Sequence, residues 1–476
     1  MALFRSRLVR NNIGMYLAAT GLTAQQIAQV SGIDAALVQQ FADDPQLVPD
    51  LATAMPFLLR TPDADPGLLL SYAPPADEGT AEPLPVVVCG AGNLGHVFAG
   101  LLGARTDIDL RMLLSTKERA DTFRANMEAN GGVSVQMPDG TQVTGKPRIV
   151  THDPAEAIPG ARVVLMCVPS HVESALLDRV LPHLDRSDAC IGSVPAPGGF
   201  DWKARAALQR HGKHATIFGL GYIPWMSKML TFGSAARIPG GKSANVVAVD
   251  PPSKLAEVAD LLAQVLQTPV LDLGSFLNMT LHAGNQVLHP GIMYAMFKDW
   301  DGTPLHEAPL FYEGATFEAA ALCQDLSEEI QQLKQALERA LPGLQLPLAL
   351  PLQQSLQIGY GAAIADTSTL QTTIASNRAY AGIRTPVKPV DGGVVPDWDS
   401  RFFREDIPHG LVVLRGLADL VGLTLPRLDE ILLWSQQKMS KEYLVDGKLQ
   451  GKDVADSGAP QCFGITRIEA LFTAQN

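Results

Sequence analysis

The stretch VVVCGAGNLGHVFAG, residues 86–100, leads from a short apolar run through three glycines into a helical pattern. Three glycines spaced G-x-G-x-x-G after a strand are typical of the turn that binds the pyrophosphate of a dinucleotide. Gly90 permits the tight turn, Gly92 lets the backbone approach the anion, and Gly95 lets the helix pack closely on the strand. The first amides of that helix then point at the phosphates. We therefore predict that this turn contacts a dinucleotide through Gly90, Gly92, Asn93, Leu94 and Gly95.

The residues around this turn predict a Rossmann-type domain, which we place at residues 85–272. Helical patterns and loops separate further apolar runs of strand length at residues 109–115, 161–169, 189–195, 215–220 and 243–250. Such runs indicate a parallel sheet that is covered on both faces. Residues 133–145 predict an inserted hairpin that turns at Asp139 and Gly140.

Two further domains are predicted on either side of the Rossmann-type domain. Beyond it the strand signals nearly vanish, so residues 273–476 are predicted to form an α-helical domain that carries the substrate and the catalytic groups. Residues 71–84 are rich in proline and small polar residues, as linkers are. Residues 1–70 alternate helical patterns with short turns and predict a small helical domain. The predicted fold class is therefore α/β, with a small helical domain before the Rossmann-type domain and an all-α domain after it.

The N-terminal domain has the rhythm of a helix-turn-helix between residues 21 and 41, with Thr23 as a helix cap and Gly32 at the turn. The would-be recognition helix, from Asp34 to Asp43, carries no Lys or Arg to meet phosphates or guanine edges. We therefore expect a packing or dimerising role, a homo-oligomer of the dimer type, and no binding to nucleic acid.

The composition excludes several classes of protein. With 37 basic and 49 acidic residues the net charge is −12, which opposes any general attraction to nucleic acid or anionic lipid. No apolar run is long enough to cross a bilayer, and the N-terminus lacks the apolar core of a signal peptide. We expect a cytoplasmic protein without membrane association. The five cysteines stand singly, which predicts small buried apolar residues and no metal site.

The end of the second predicted strand indicates which dinucleotide is preferred. Enzymes that use NAD usually offer its ribose a carboxylate about 20 residues after the glycines. Here the segment instead offers hydroxyls and cations, at Ser115, Thr116, Lys117 and Arg119. Such groups suit a 2′-phosphate, so NADP(H) is the predicted cofactor and NAD(H) the alternative. After the next strand, Val168 and Pro169 are predicted to pack on the nicotinamide ribose.

The segment that opens the helical domain contains His289, and spacing alone does not decide the role of this histidine. Asn285 and His289 stand four residues apart on one helix face, and Pro290 interrupts the hydrogen-bond ladder there. A lone histidine on an apolar helix is more often a core residue than a catalytic one. His282 and His409 are the other histidines that could be assigned as the base in its place.

Several motifs, taken together, resemble one known family. In chain order these are GAGNLGHVFAGLLG (90–103), VVLMCVPSH (163–171), NQVLHP (285–290), NRAYAGI (377–383) and EDIPHGL (405–411). Their order and content are similar to those of the octopine and nopaline dehydrogenases, the opine dehydrogenases. The resemblance runs from about residue 85 to residue 435, close to three quarters of the chain, and leaves out the N-terminal domain.

The resemblance implies an activity and three catalytic residues. In this family an amino acid amine and a 2-oxo acid are joined reductively to an N-(1-carboxyalkyl) amino acid. The family's Asn-x-x-x-His-Pro histidine corresponds to His289, and its later aspartate corresponds to Asp406. The family's arginine, five residues before that aspartate, corresponds to Arg401. A group that titrates near neutrality suits the proton transfer, so His289 is the implied acid and base, oriented by Asp406.

The other implied contacts each have a simpler alternative. Arg401 would bind the cofactor pyrophosphate or a substrate carboxylate, or else form a surface ion pair with Asp397, Asp399 or Glu405. Asp406 could act as a helix cap as well as a partner of the histidine. Asn285 would contact substrate or the nicotinamide carboxamide, or else be a structural amide. Tyr380, in an irregular segment at 377–403, is a candidate substrate contact.

Two other functions remain open from the sequence. One is a two-domain reductase of the ketopantoate or 6-phosphogluconate type, whose helical domain usually supplies a lysine. Lys298 is the one lysine near His289 in the chain. The other is a non-catalytic regulator that senses NADP, with the repressor-like N-terminal domain as its output.

Overall fold

The computed structural model describes residues 3–60, 69–74, 82–196 and 198–472, and these divide into two compact units. The first, here called the sheet unit, comprises Met1–Ala196 and Ala204–Phe276. The second, here called the helical unit, comprises Pro197–Lys203 and Leu277–Asn476. The N-terminal region therefore belongs to the same compact unit as the sheet. The change of unit at residue 276 lies close to the predicted domain boundary at 272.

The sheet unit contains sixteen strands in its described residues. They are β1 (Phe4–Arg5), β2 (Val9–Asn11), β3 (Leu47–Val48), β4 (Leu70–Tyr72), β5 (Leu84–Cys89), β6 (Ile108–Leu113), β7 (Val133–Gln136), β8 (Gln142–Gly145), β9 (Ile149–Thr151), β10 (Val163–Met166), β11 (Cys190–Ser193), β12 (Thr216–Leu220), β13 (Trp225–Thr231), β14 (Ala235–Gly241), β15 (Asn245–Asp250) and β16 (Val270–Gly274). Eight of them form the main sheet, in the order β16-β15-β12-β11-β10-β5-β6-β9. The strand before the glycine turn, β5, lies between β10 and β6, and its last four residues are buried.

The parallel arrangement is confirmed for five of the six predicted strands, β5, β6, β10, β11 and β12, and is wrong for the sixth, β15. From β9 through β12 every neighbouring pair is parallel, whereas β15 runs antiparallel to β12 and β16 runs parallel to β15. The reason lies in the connection between β12 and β15. A parallel neighbour needs a crossover, usually a helix, but here the chain forms the hairpin β13–β14. Exposed and partly buried residues alternate along most of β13, as they do on a strand with one face toward water.

A second sheet combines that hairpin with the predicted one, in the order β13-β14-β7-β8. The pairing of β7 with β8 is antiparallel, which confirms the predicted hairpin. At its turn Gly140 has a φ of 86°, and the carboxylate of Asp139 accepts a hydrogen bond from the Thr141 amide at 2.9 Å. A positive φ and a side-chain hydrogen bond to the backbone two residues later are typical of tight turns, and glycine and aspartate are the residue types that favour them.

The N-terminal region contains the predicted helix-turn-helix and also short strands. Thr23 caps the second of its helices in a capping box with Gln26, and Gly32 ends that helix with a φ of 77°. The region is joined to the helix Leu255–Leu266 of the same unit through Asp260. The Asp260 carboxylate accepts hydrogen bonds from the Ser6 hydroxyl at 2.5 Å and the Arg7 amide at 3.1 Å. Of the predicted linker 71–84, the first two residues belong to β4 and residues 75–81 lie outside the described residues.

Helices alternate with many of the strands of the sheet unit along the sequence. They are Ile13–Thr20, Ala24–Ser31, Ala35–Asp43, Leu51–Arg60, Asn93–Gly103, Lys117–Ala129, Pro154–Ala157, Ser170–Val180 and Leu255–Leu266, with single 3-10 turns at Leu181–His183 and Pro252–Lys254. Two helices, Phe200–Arg210 and Phe276–Thr280, extend across a change of unit in the chain.

The helical unit is built around one large apolar core. Its helices are Asn285–Phe297, Phe317–Ala340, Leu352–Tyr360, Leu370–Ala375, Arg401–Arg404, Val412–Leu420 and Pro426–Lys438, with a π-turn at Ile407–Leu411 and 3-10 turns at Gly361–Ala363, Arg378–Tyr380, Val454–Asp456, Pro460–Phe463 and Ile468–Leu471. The fold class predicted from the sequence is therefore confirmed. None of the described helices combines the length and the apolar character that crossing a bilayer requires.

Two small hairpins complete the helical unit. They are β17 (Val387–Val390) with β18 (Gly393–Pro396), and β19 (Leu444–Val445) with β20 (Lys448–Leu449). The first of these lies in the segment 377–403, which was predicted to be irregular, so that prediction is wrong for Val387–Val390 and Gly393–Pro396. Gly392 and Gly393, with φ values of 87° and 151°, allow the chain to reverse there.

Candidate active site

Each glycine of the glycine turn is favoured at its position for a different geometric reason. Gly90 has a φ of 112°, and a Cβ built on it would lie 2.5 Å from the carbonyl oxygen of Cys167. A Cβ on Gly95 would lie 2.2 Å from the carbonyl oxygen of Gly90, so this glycine lets the helix Asn93–Gly103 begin against the turn. Gly92 differs, because no described atom lies within 4 Å of its Cβ position. Its open side is what the close approach of a pyrophosphate requires, so the turn fits a bound dinucleotide.

This difference predicts opposite outcomes for two matched substitutions. Gly95→Ala should destabilise the protein by about 2 kcal/mol or more, because the new methyl group meets backbone that cannot move away. Gly92→Ala should leave the melting temperature unchanged and weaken cofactor binding at least about tenfold, because the methyl group enters only the space of the anion. Thermal unfolding and fluorescence titration measure the two effects. Loss of stability in Gly92→Ala, or tight cofactor binding by it, would contradict this assignment.

His96 is a buried residue of the turn whose role the sequence did not predict. Its Nδ1 lies 2.8 Å from the carbonyl oxygen of Gly92, and its Nε2 accepts a hydrogen bond from the Gly233 amide at 2.7 Å. Since Nε2 is the acceptor, Nδ1 carries the proton and donates to Gly92. Burial lowers the pKa of His96, which keeps the imidazole neutral. The histidine therefore ties the glycine turn to the hairpin β13–β14.

The residues predicted to select the cofactor lie in the exposed segment that follows β6. Ser115, Thr116, Lys117 and Arg119 are all exposed. The Thr116 hydroxyl caps the helix Lys117–Ala129 by accepting from the Arg119 amide at 3.2 Å. The Lys117 ammonium pairs with Asp121 at 2.7 Å, and the Arg119 guanidinium stacks 4.6 Å from the ring centre of Phe232. Two cations and two hydroxyls are thus grouped at the edge of the sheet where a nucleotide ribose would lie.

Val168 and Pro169 follow the end of β10, beside the turn. A Cβ built on Gly90 would lie 3.1 Å from Cγ1 of Val168. Pro169 is exposed and begins the helix Ser170–Val180. Both residues therefore lie at the same edge of the sheet as the glycines, as parallel strands with adjacent ends require.

In the helical unit, folding brings together two residues that are 117 positions apart in the chain. Nδ1 of His289 lies 2.7 Å from Oδ2 of Asp406. Their side chains are only 7% and 15% exposed, so this hydrogen bond is largely shielded from water. A carboxylate accepts hydrogen bonds, so Nδ1 carries a proton and the lone pair of the neutral ring is on Nε2.

Close helix packing buries the histidine. The helix Asn285–Phe297 continues through Pro290, and Gly291 follows directly. A Cβ on Gly291 would lie 2.7 Å from Sγ of Cys323, so the glycine allows this helix to lie close to the helix Phe317–Ala340. Only a residue without a side chain fits at this contact.

A π-turn places the aspartate. Leu411 donates its amide to the carbonyl of Asp406, five residues earlier, at 3.0 Å, and Pro408 between them has no amide to give. The side chain of Asp406 makes no capping hydrogen bond to this turn, so the cap interpretation is wrong. The carboxylate is directed to the histidine instead.

Aromatic residues enclose the pair. Nε2 of His289 lies 2.8 Å from the hydroxyl of Tyr312, and the ring of Phe402 stacks on the imidazole at 3.6 Å with an angle of 12°. Tyr380 stacks in turn on Tyr312 at 4.0 Å. Burial, with the nearby Tyr360 and Asp406 as further causes, raises the pKa of Tyr312, so its hydroxyl keeps its proton. The sequence did not predict Tyr312, because the segment PLFYEG around it carries no recognisable motif.

Arg401 and Asn285 are exposed residues on the elements that carry the pair. Two of the three carboxylates that Arg401 was expected to pair with as a surface residue have other partners: Asp399 pairs with Arg404 at 2.7 Å, and Asp397 with Lys388 at 2.8 Å. The positive charge of Arg401 acts instead on Tyr312, where it opposes the rise in the tyrosine pKa. Asn285 is the first residue of the helix that carries His289.

The other two histidines do not take the place of His289. His282 is exposed, and its carbonyl accepts a hydrogen bond from the side chain of Gln286. His409 is buried in the π-turn with its ring beside Gly458. Among the described residues, His289 is the imidazole bonded to Asp406.

Comparisons with known proteins agree on one family. The family model described as NAD/NADP octopine/nopaline dehydrogenase, alpha-helical domain, matches residues 272–439. The octopine dehydrogenase of Mizuhopecten yessoensis is 33% identical over 399 residues, which cover 82% of this chain and 99% of the relative. The chain belongs to the opine dehydrogenase family. The tauropine dehydrogenase of Arabella iricolor, another member, is 31% identical over 396 residues, covering 81% of this chain and 99% of its own.

A solved structure of an opine dehydrogenase extends the agreement to the fold. The structure of octopine dehydrogenase with NADH and L-arginine has a TM-score of 0.75 and 32% identity, covering 83% of this chain and 98% of that one. The protein is therefore an NAD(P)-dependent oxidoreductase with a Rossmann-type sheet and a helical C-terminal domain. The resemblance inferred from the motifs is confirmed.

Proposed function

We propose that this protein catalyses the NADPH-dependent reductive condensation of an amino acid amine with a 2-oxo acid, to give an N-(1-carboxyalkyl) amino acid. The observation that carries the proposal is the hydrogen bond of 2.7 Å between His289 and Asp406 in a chain of the opine dehydrogenase family. The reaction needs a group that gives and takes a proton near neutrality, and an imidazole oriented by a carboxylate meets that need.

The chain's own residues have distinct tasks in this reaction. The oxygen of the 2-oxo acid must leave as water when the amine adds to its carbon, so that oxygen has to be protonated. His289 supplies the proton, and Asp406 holds the ring by its Nδ1 proton and stabilises the charged ring electrostatically. The nicotinamide, when bound at the glycine turn, supplies the hydride that reduces the resulting imine.

Two further residues are proposed to bind the substrates or the cofactor, and a third supports the site. Arg401 is the cation for an anionic group, either a substrate carboxylate or the pyrophosphate, because its fork of donors matches such groups and because Asp397 and Asp399 pair with other cations. Asn285, exposed one helical turn before His289, is proposed to contact substrate or the nicotinamide carboxamide. Tyr380 supports the site by stacking on Tyr312.

The preference for NADPH over NADH is also part of the proposal. Ser115, Thr116, Lys117 and Arg119 stand where a carboxylate would favour NAD, and they suit a 2′-phosphate. The comparisons support nicotinamide dinucleotide binding in general.

Replacing Lys117 by alanine tests this preference. We expect the affinity for NADPH to fall about tenfold and that for NADH to change less than about twofold, because only NADPH carries the extra phosphate. Lys254→Ala is the matched control, since Lys254 is also an exposed lysine of the sheet unit, paired with Glu257 at 2.8 Å. Equal losses of the two cofactors in Lys117→Ala would contradict the preference.

The proposed activity is tested by mixing the protein with NADPH, a 2-oxo acid such as pyruvate, and a panel of amino acids that includes L-arginine. The assay follows the absorbance of the cofactor and the mass of the product. Oxidation of NADPH with formation of the N-(1-carboxyalkyl) amino acid is the expected result. Turnover of the oxo acid without any amine would instead indicate a reductase of the ketopantoate type. Cofactor binding without turnover would indicate the regulator.

A further inference from the structure

The imidazole of His289 has no free nitrogen in this structure. Nδ1 is bonded to Asp406 and Nε2 to the hydroxyl of Tyr312, at 2.7 and 2.8 Å. Phe402 covers one face of the imidazole. Phe311 meets it in an edge-on arrangement with the two ring centres 5.7 Å apart, and His289 is 6% exposed. A proton that leaves Nε2 therefore has the Tyr312 oxygen as its neighbour.

We propose that Tyr312 is a catalytic residue that relays the proton between His289 and the substrate oxygen. The inference rests on the proposed function, since it concerns the step in which that oxygen leaves as water. Asp406, His289 and Tyr312 then act as one chain of hydrogen bonds, and the substrate meets the tyrosine rather than the imidazole.

The step balances without any further reagent. The charged ring donates Nε2–H to the Tyr312 oxygen while the Tyr312 O–H proton passes to the oxygen of the substrate. The bond from the substrate carbon to that oxygen then breaks and water leaves. Nε2 ends neutral, Tyr312 ends with one proton as it began, and Asp406 keeps its hydrogen bond to Nδ1 throughout. No electron pair moves between the substrate and the protein.

The surroundings of Tyr312 suit a relay and not a movable gate. The residue is 5% exposed, and its ring stacks on that of Tyr380 at 4.0 Å with an angle of 16°. The ring of Phe311 packs edge-on against it, with the two ring centres 4.8 Å apart. These contacts hold the hydroxyl in place, as a fixed donor and acceptor must be. Burial raises the pKa of Tyr312, so the group is a neutral phenol that passes a proton and does not rest as a phenolate.

The variant Tyr312→Phe keeps the ring and its stacking and removes the relay oxygen. We expect kcat of the condensation to fall about a hundredfold, as loss of one proton-transfer group does, with KM for NADPH unchanged within about twofold. In mixtures of light and heavy water, the rate of the wild-type enzyme should respond as for two moving protons, and that of the variant as for one. Tyr294→Phe is the matched control, because Tyr294 lies on the helix of His289 and its hydroxyl bonds to Glu430 at 2.6 Å.

The outcomes separate this inference from the proposed function. Condensation by the wild type together with a Tyr312→Phe variant of near-normal kcat, or with the same isotope response, would overturn the relay alone. Failure of the wild type to condense any amine with any oxo acid would overturn the proposed function, and the relay with it. Nitrogen-15 NMR of His289 in the wild type gives a test without any variant. A proton that stays on Nδ1 in both the neutral and the charged ring supports the relay, and a neutral ring whose proton is on Nε2 overturns it.

Discussion

Replacing His289 by alanine is expected to lower kcat for the condensation by about a thousandfold, because the change removes the imidazole that Asp406 orients and that is the source of the proton for the leaving oxygen. The cofactor affinity should remain within about twofold of the wild type, since the glycine turn belongs to the sheet unit and keeps its own contacts. Stopped assays of product mass measure the first effect, and titration of cofactor fluorescence measures the second.

The assignment of His282 as the acid in place of His289 is tested by His282→Ala, which removes the exposed histidine seven residues earlier in the chain. That variant should keep kcat within a few-fold of the wild type. A His289→Ala enzyme with normal turnover, or a His282→Ala enzyme without any, would show that the acid had been assigned to the wrong residue.

The second large effect is expected for Asp406→Asn, a change that preserves size and removes the charge. The amide can accept from Nδ1 or donate to it, so the ring is no longer held in one tautomer. The charged ring also loses its carboxylate partner at a site where both side chains are largely buried. In enzymes where an aspartate orients a catalytic histidine, this substitution costs up to about ten-thousandfold in kcat, and we expect at least about a hundredfold here.

The control for this variant is Asp399→Asn, in the same part of the chain. Asp399 is exposed and pairs with Arg404 at the surface, and such pairs contribute little. Its kcat should equal that of the wild type within about twofold. If both variants lost activity to the same extent, the loss would reflect the charge of the segment and not the contact with His289.

Features that depend on a few neighbouring residues could be predicted from the sequence. The glycine turn, the Thr23 capping box and the hairpin at Asp139 and Gly140 all follow from the backbone conformations that these residue types allow. Family motifs also indicated His289 and Asp406 as partners, although spacing alone did not.

Features that depend on distant residues could not be predicted in the same way. The reversed direction of β15 was missed, because local apolar patterns do not show which neighbour a strand pairs with. Tyr312 was missed because it lies in no motif and becomes part of the site only through its bond to Nε2 of His289, 23 residues earlier. His96 was missed for the same reason, since Gly233, its partner, lies 137 positions away.

The sequence by itself determined that a strand, a glycine turn and a helix would form a dinucleotide site, because that geometry is local and only glycine meets its steric demands. It also determined the family. Only the tertiary structure decided that the carboxylate of Asp406 serves the imidazole and not a helix cap, and that a tyrosine closes the other nitrogen. These contacts of His289 depend on how helices pack around Gly291 and on where the π-turn ends. Such packing brings together residues that are far apart in the chain, and nothing in their spacing predicts the contact.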